Sequence, residues 1–366
     1  MVHGIWLRIP ALALRKWLCL LAPAAPVPQI IMFSKVADNH CHIDVNCTKE
    51  DIMETADAIA LSPELRDGFF SIMTTYERDM HLLQILFHRL GKTQNKLMPY
   101  WGVHPWYSHL FTFCERDGES LASWKEKHYR QVLEPEPTNE MMRVLPDPID
   151  MNLYLKTLQD TIQRCKPPHG KFGIGEIGLD KLFRVPSAGY YGSLATIDSN
   201  SPRLSPCKVT MEHQERILQS QLLLAEELQA PISVHCVKAH GRLYAAIEKF
   251  RGPTIILHSY TGSTDQAQMW IRKTDKLNQQ IFFSFSQWIN GEKAAQLRAL
   301  MEILRDEHIL VESDVSIDRY DLETYKLEHI QQIVETVKAI RKWDSLEILS
   351  QNIERAIGVK EIENLY

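Results

Sequence analysis

Eight short apolar or β-branched runs recur along this 366-residue chain, most of them followed by a stretch of helical pattern, and no other feature restricts the fold so much. The runs are Val36 to Ile43, Phe69 to Thr75, Met98 to Trp106, Phe172 to Leu179, Pro231 to Val237, Thr254 to Ser259, Ile281 to Trp288 and Ile309 to Val315. Helical periodicity marks Asp150 to Arg164, His213 to Leu228, Gly241 to Phe250, Asp265 to Lys273, Glu292 to Arg305 and Leu322 to Ile340. Strands that alternate with helices pair in parallel, and eight of them predict an α/β fold, a (β/α)8 barrel of the TIM type. Such barrels keep their chemistry at the C-terminal ends of the strands. His40, His42, His104, Glu176, His235, His258 and Asp314 all sit at or near those ends.

Two intervals break the rhythm. Residues 107–170 are too many for one crossover, and residues 181–209, rich in Ser, Gly and Pro, read as a long loop after Asp180. Both are expected to leave the top face as insertions that cover the site. The barrel domain is expected to run from 35 to 366. The segment before it differs: Arg8, Arg15, Lys16 and Lys35 are interspersed with apolar residues, and no acid occurs before Asp38. Residues 1–34 are therefore expected to be an N-terminal extension, with Met32 as another start, or a transit-like segment that would direct the chain to mitochondria. Arg15 and Lys16 interrupt the apolar stretch from Ile5 to Leu21, so no membrane span is expected there.

Composition excludes some function classes. A hydrophobic fraction of 45% and a charged fraction of 24% suit a globular protein rather than a disordered or membrane one. A net charge of −5 argues against broad, charge-driven nucleic-acid binding, leaving a local basic groove or a metal site as ways to hold phosphate. The seven scattered cysteines form no Cys-x-x-Cys pair, which points to reduced thiols and a cytoplasmic or nuclear protein, without a disulfide framework.

In DNHCHID, His40 and His42 lie two apart on a strand, so both imidazoles face one side. Alone, such a pair is better read as two hydrogen-bonded histidines at a barrel end. Glu176, among the glycines of GIGEIG, serves equally as a metal carboxylate or as the partner of a basic side chain. His235 and His258 each end an apolar run, and Asp314 follows one that already contains Glu312, where a buried carboxylate needs a cation or hydrogen-bond donors. Glu312 is expected to alternate with Asp314 along that strand and so to face the same side. The ordered set, His-x-His, Glu, His, His, Asp, shifts the balance to a metal site. Its mixture of nitrogen and oxygen suits Zn²⁺ or Mn²⁺ better than Ca²⁺.

With these motifs in hand, the chain resembles the TatD family of metal-dependent deoxyribonucleases, a divergent, fungal-type member among them. The likeness runs from Asp38 to the C-terminus through DNHCHID, GVHPW, GEIGLD, Gln214, PISVHC, ILHSYTGS, VESD and QNIERAIGV. It implies two divalent metal ions (Zn, Mg or Mn), with His40, His42, Glu176 and Asp314 around one and Glu176, His235 and His258 around the other. It further implies hydrolysis at DNA ends, most specifically at the 3′ end, with His104 contacting substrate phosphate. Asp314, at the end of the eighth run, is the candidate general base and Glu176 holds the ions together, while Lys238 or Arg242 is left to supply the phosphate-binding charge of the arginine that Val237 replaces. Three positions depart from the family pattern: Val237 replaces an arginine, Lys181 replaces a tyrosine, and His258-Ser259-Tyr260-Thr261-Gly262 replaces His-Cys-Phe-Ser-Gly. They alter the substrate wall and leave the ligand set whole. The competing expectation is a scaffold or protein-interaction barrel with a retained metal site and low, or a different, ester or amide hydrolase activity. A protein partner is compatible with the sequence but is not readable from it.

Overall fold

The computed structural model describes residues 37–61, 69–90, 97–165, 170–193, 203–277, 279–317 and 322–358. The extension over 1–34 and the middle of the 181–209 insertion lie outside the described residues. Eight parallel strands form one sheet: β1 (Ala37–His42), β2 (Phe69–Met73), β3 (Leu97–Trp101), β4 (Gly173–Asp180), β5 (Ile232–Val237), β6 (Thr254–Leu257), β7 (Gln280–Ser286) and β8 (Ile309–Glu312). Each pairs with its sequence neighbour. Backbone bonds from Asp314 N–H to the His40 carbonyl (3.0 Å), and from His42 N–H to the Val315 carbonyl (3.0 Å), join the first strand to the segment after the last. The sheet is thereby closed into a (β/α)8 barrel.

Around it run α1 (Lys49–Leu61), α2 (Glu77–Leu90), α3 (Leu121–Val132), α4 (Asn139–Val144), α5 (Met151–Arg164), α6 (Met211–Glu227), α7 (His240–Ile247), α8 (Thr264–Leu277), α9 (Ala294–Ile303), α10 (Leu322–Arg341) and α11 (Glu347–Ile357). The apolar strand residues bury against their helices in a single large core. A second cluster explains the C-terminal QNIERAIGV. Ile353, Ala356 and Ile357 of α11 pack under Ala37, Phe69, Met98, Phe282 and Leu310 near the strand starts, so α11 plugs the bottom of the barrel. Asn352 locks it there by donating to the carbonyls of Asp306 and Ile309, both at 2.7 Å.

Two expectations need correction. The third run continues as strand only to Trp101; Pro105 then begins a 3-10 helix, Pro105–Leu110, capped by His104. Proline has no N–H to give a strand ladder, and its fixed φ suits the first helical position. The eighth strand stops at Glu312, so Asp314 does not alternate with it along a strand. Asp314 instead sits in the left-handed region, at φ +55°.

The two insertions fold on each other. Leu133–Glu134 pairs antiparallel with Lys208–Val209, and Phe111–Thr112 pairs with Ile149–Asp150. Tyr129, Val132, Leu133, Met141 and Leu145 from the first bury against Val185, Cys207 and Val209 from the second, giving the pair its own small core. No disulfide joins the six described cysteines to one another. Among the described residues no helix is long and apolar enough to cross a membrane.

One glycine is indispensable. Gly178 in β4 has φ +150°, and a Cβ there would lie 2.0 Å from the His235 carbonyl oxygen of β5. Backbone cannot yield as a side-chain tip does. Gly178→Ala is expected to destabilise the fold by roughly 2–4 kcal/mol, read as a lowered midpoint in thermal or denaturant unfolding.

Candidate metal centre

The upper end of the barrel is filled by charge instead of aliphatic packing. Glu176 stands at its centre, 2% exposed. Pairing of β4 with β5 slips between Ile174 and Ile177, and a slipped register of this kind re-aims a strand side chain. The two carboxylate oxygens of Glu176 meet different partners. Oε2 lies 3.3 Å from Nε2 of His40 and 3.3 Å from Nε2 of His42. Oε1 lies 2.8 Å from Nδ1 of His235, 3.2 Å from Nε2 of His258 and 3.4 Å from Nε2 of His104. Asp314 Oδ1 approaches His42 Nε2 at 3.6 Å. Five of the expected residues, His40, His42, His104, His235 and His258, therefore converge on the carboxylate of Glu176, and Asp314 joins them through His42. Lys238 does not: it is exposed just past β5 at φ +55°, and its charge acts on His240.

Local structure explains these positions. His40 and His42 project from the same side of β1 with their Nε2 atoms 3.0 Å apart, while Cys41 between them turns its thiol to the Ser71 carbonyl. Asp38 accepts from His40 N–H (3.2 Å), from Ser313 N–H (2.9 Å) and from the Ser313 hydroxyl (2.6 Å), fixing β1 against the Asp314 turn. Helix α6 holds two further ends. The Gln214 amide bonds both N–H and C=O of Asp180, and the Gln221 amide, two turns on, does the same for Val103.

Hydrogen bonds also set tautomers. His258 Nδ1 faces Glu312 Oε1 at 2.9 Å, a carboxylate that can only accept, so the lone pair of its Nε2 is left for the centre. His104 is the opposite case. Its Nδ1 accepts from Trp106 N–H at 3.2 Å, so in the neutral ring the proton is on Nε2, and His104 faces the centre as a donor.

Electrostatics are mutual. Burial acts against the charge of every group here. For His40 and His104 burial prevails, and His104 is pushed down to about 4. At His235 burial is outweighed by Glu176 and Asp180, and its pKa rises to about 9. At His258 burial is outweighed by Glu312, Glu176 and Asp314, and its pKa rises to about 10. Burial likewise opposes the charge on Glu176, yet His104, His258, His40 and His235 hold it well below the carboxylate range. Glu312 and Asp314 are lowered against burial chiefly by His258. Imidazolium protons thus supply the positive charge that these carboxylates demand.

Three residue groups bring possible ligand atoms within 4.8 Å of one another: His40–His42–Asp314, His40–His258–Glu312 and His104–Glu176–His235. This mixed nitrogen and carboxylate set fits a borderline divalent cation. A buried Glu312 Oε2 and His235 Nε2 without hydrogen bonds strengthen the fit. Sequence reasoning left two contributors outside the site. Glu312 was recognised only as a neighbour. Asp180, buried, accepting from Trp106 Nε1 at 2.8 Å and 3.6 Å from His235 Nε2, went unnoticed, although the end of GEIGLD puts it at a strand terminus.

Residues 37–358 match the family described as TatD related DNase. The chain belongs to this family. An uncharacterized deoxyribonuclease of Saccharomyces cerevisiae is 34% identical over 322 residues, 85% of this chain and 93% of that protein. The Cut9-interacting protein scn1 of Schizosaccharomyces pombe is 29% identical over 303 residues, 74% of this chain and 86% of its own. The 3'-5' ssDNA/RNA exonuclease TatD of Escherichia coli is 30% identical, but over only 108 residues, 29% of this chain and 39% of that one. In fold, the TatD homolog YJJV from Escherichia coli superposes with a TM-score of 0.55 at 16% identity, covering 90% of this chain and 100% of that structure.

A cation entering this TatD-type centre must displace the protons on His235 and His258. With those pKa values raised to about 9 and about 10, both rings are protonated at neutral pH, so binding of Zn²⁺ or Mn²⁺ should release protons and tighten as pH rises from 6 to 9. Calorimetry in buffers of different ionisation enthalpy measures that release; an affinity flat across this range, with no buffer dependence, would contradict the assignment.

Proposed function

We propose that the chain is a divalent-metal-dependent phosphodiesterase that removes nucleotides from the 3′ end of DNA. The observation that carries this reading is the division of partners across Glu176, with His40 and His42 at one oxygen and His235 and His258 at the other. A carboxylate flanked in this way is suited to be shared between two ions. In the proposed arrangement His40, His42, Glu176 and Asp314 hold one ion, and Glu176, His235 and His258 hold the other. When bound, such a pair supplies Lewis-acid stabilisation of phosphoryl oxygens and lowers the pKa of a water.

The remaining work falls to the protein's own groups. Asp314, kept ionised against burial chiefly by His258 and His42, takes the proton of the attacking water. His104 Nε2–H donates to a phosphate oxygen, consistent with a ring that stays neutral because burial pushes its pKa down to about 4. Lys238 at the rim offers a more distant charge to the phosphate chain. The 3′-end specificity rests on the partial match to a named 3'-5' exonuclease.

A second reading, a barrel that chiefly binds another protein, is favoured by the relative named for interacting with Cut9. Metal analysis combined with an exonuclease assay on 3′-labelled single-stranded DNA separates the two. The metal-loaded chain should hydrolyse, Asp314→Ala should lose about 10²–10⁴ in kcat, and His40→Ala should lose metal. Metal retention with no hydrolysis by the unaltered chain would favour the binding reading. Glu312→Gln, which weakens the orienting bond to His258, is expected to cost roughly 10–100-fold in metal affinity, read by chelator competition.

A further inference from the structure

We infer that Phe183 and Tyr191, with Trp106 behind them, form a stacking platform for the nucleobase next to the scissile phosphate. The inference rests on the nuclease reading above and adds to it the part of the substrate that is recognised.

Phe183 lies against Trp106 with ring centroids 5.1 Å apart and planes within 12°. Tyr191 closes the group, 5.7 Å from Trp106 and 6.2 Å from Phe183. All three side chains are only partly buried, so aromatic surface is left open to solvent. The platform adjoins the centre. The Trp106 ring is 5.1 Å from that of His104, the proposed phosphate donor, and Trp106 Nε1 donates at 2.8 Å to Asp180, which faces His235. A base joined to a phosphate at His104 therefore has an aromatic surface within one nucleotide's reach.

Charge on the same insertion agrees. Lys181, Arg184 and Arg203 are exposed and make no ion pair with a carboxylate among the described residues, although the chain as a whole carries −5. Lys208 leans onto this segment, its Nζ donating to the Lys181 carbonyl at 3.4 Å. A cationic rim beside aromatic rings is the chemistry that holds single-stranded nucleic acid: cations follow the phosphates while bases stack without regard to sequence.

The test uses a 5′-labelled single-stranded oligonucleotide with either a natural or an abasic 3′-terminal residue. Binding is measured by anisotropy on a form with a terminal phosphorothioate linkage, and hydrolysis on the unmodified form. The metal-loaded chain should prefer the natural end by roughly 10-fold in Kd and in KM. Phe183→Leu, which keeps apolar bulk but removes the ring, should bring that ratio close to one, and Phe183→Tyr should retain it. Circular dichroism checks that both variants fold. Equal treatment of natural and abasic ends by the unaltered chain, or an undiminished ratio in Phe183→Leu, overturns the platform while leaving the nuclease reading intact. Base-dependent binding without any hydrolysis supports the platform and counts against the nuclease reading.

Discussion

An ionised carboxylate buried at the centre of a protein is the constraint from which the upper half of this barrel follows. Glu176 is almost wholly removed from water, and a charge in that position is tenable only among partners that neutralise and hydrogen-bond it. The partners come from β1, from the turn after β3, from β5 and from the turn after β6. No element could move alone without leaving the carboxylate exposed to an unpaired environment. The lower half obeys a different rule, since α11 seals it with apolar side chains and two amide bonds. One fold thus holds a hydrocarbon floor and an ionic ceiling, joined by the parallel strands.

The ceiling is held by hydrogen bonds behind the imidazoles. Asp38 ties β1 to Ser313, Glu312 gathers His258 with the Ser259 amide and hydroxyl, and the Gln214 and Gln221 amides clamp two chain ends to α6. Three residues that follow barrel strands, Lys238, Ser259 and Asp314, adopt positive φ. Such conformations cost of order 1 kcal/mol or more for residues with a Cβ, and they persist where surrounding bonds over-determine them. At Asp314 the bond from its own N–H to the His40 carbonyl is part of that determination, so barrel closure and the placing of the carboxylate are one event.

Much of this was legible in the sequence, for a physical reason. Periodicity reports burial, so eight apolar runs gave eight strands, and polar residues at their ends marked the chemical face. Motif order then brought His40, His42, Glu176, His235, His258 and Asp314 together. The failures share another cause. Periodicity does not register a local change of backbone, so the run through Trp106 passed unbroken over Pro105, and Glu312 and Asp314 were assigned an alternation that the turn abolishes. Asp180 was overlooked because its role depends on Trp106 and Gln214, contacts remote in sequence that no spacing encodes.

The insertions show why the ion site is easier to read than the substrate wall. Ligands lie on barrel strands or at their ends, where topology fixes spacing and order. The wall is built by two excursions that pack on each other through Tyr129, Leu133, Val185 and Val209, with their register set by the pairing of Leu133–Glu134 and Lys208–Val209. They meet the centre through Trp106 and Asp180. A wall with its own core can change its surface while the carboxylate and its imidazoles stay in place. The replaced positions Lys181 and Val237 sit at the borders of that wall, at the ends of β4 and β5, whereas every imidazole that faces Glu176 is kept. The chemistry of the centre and the choice of what enters it are therefore carried by separable parts of one chain.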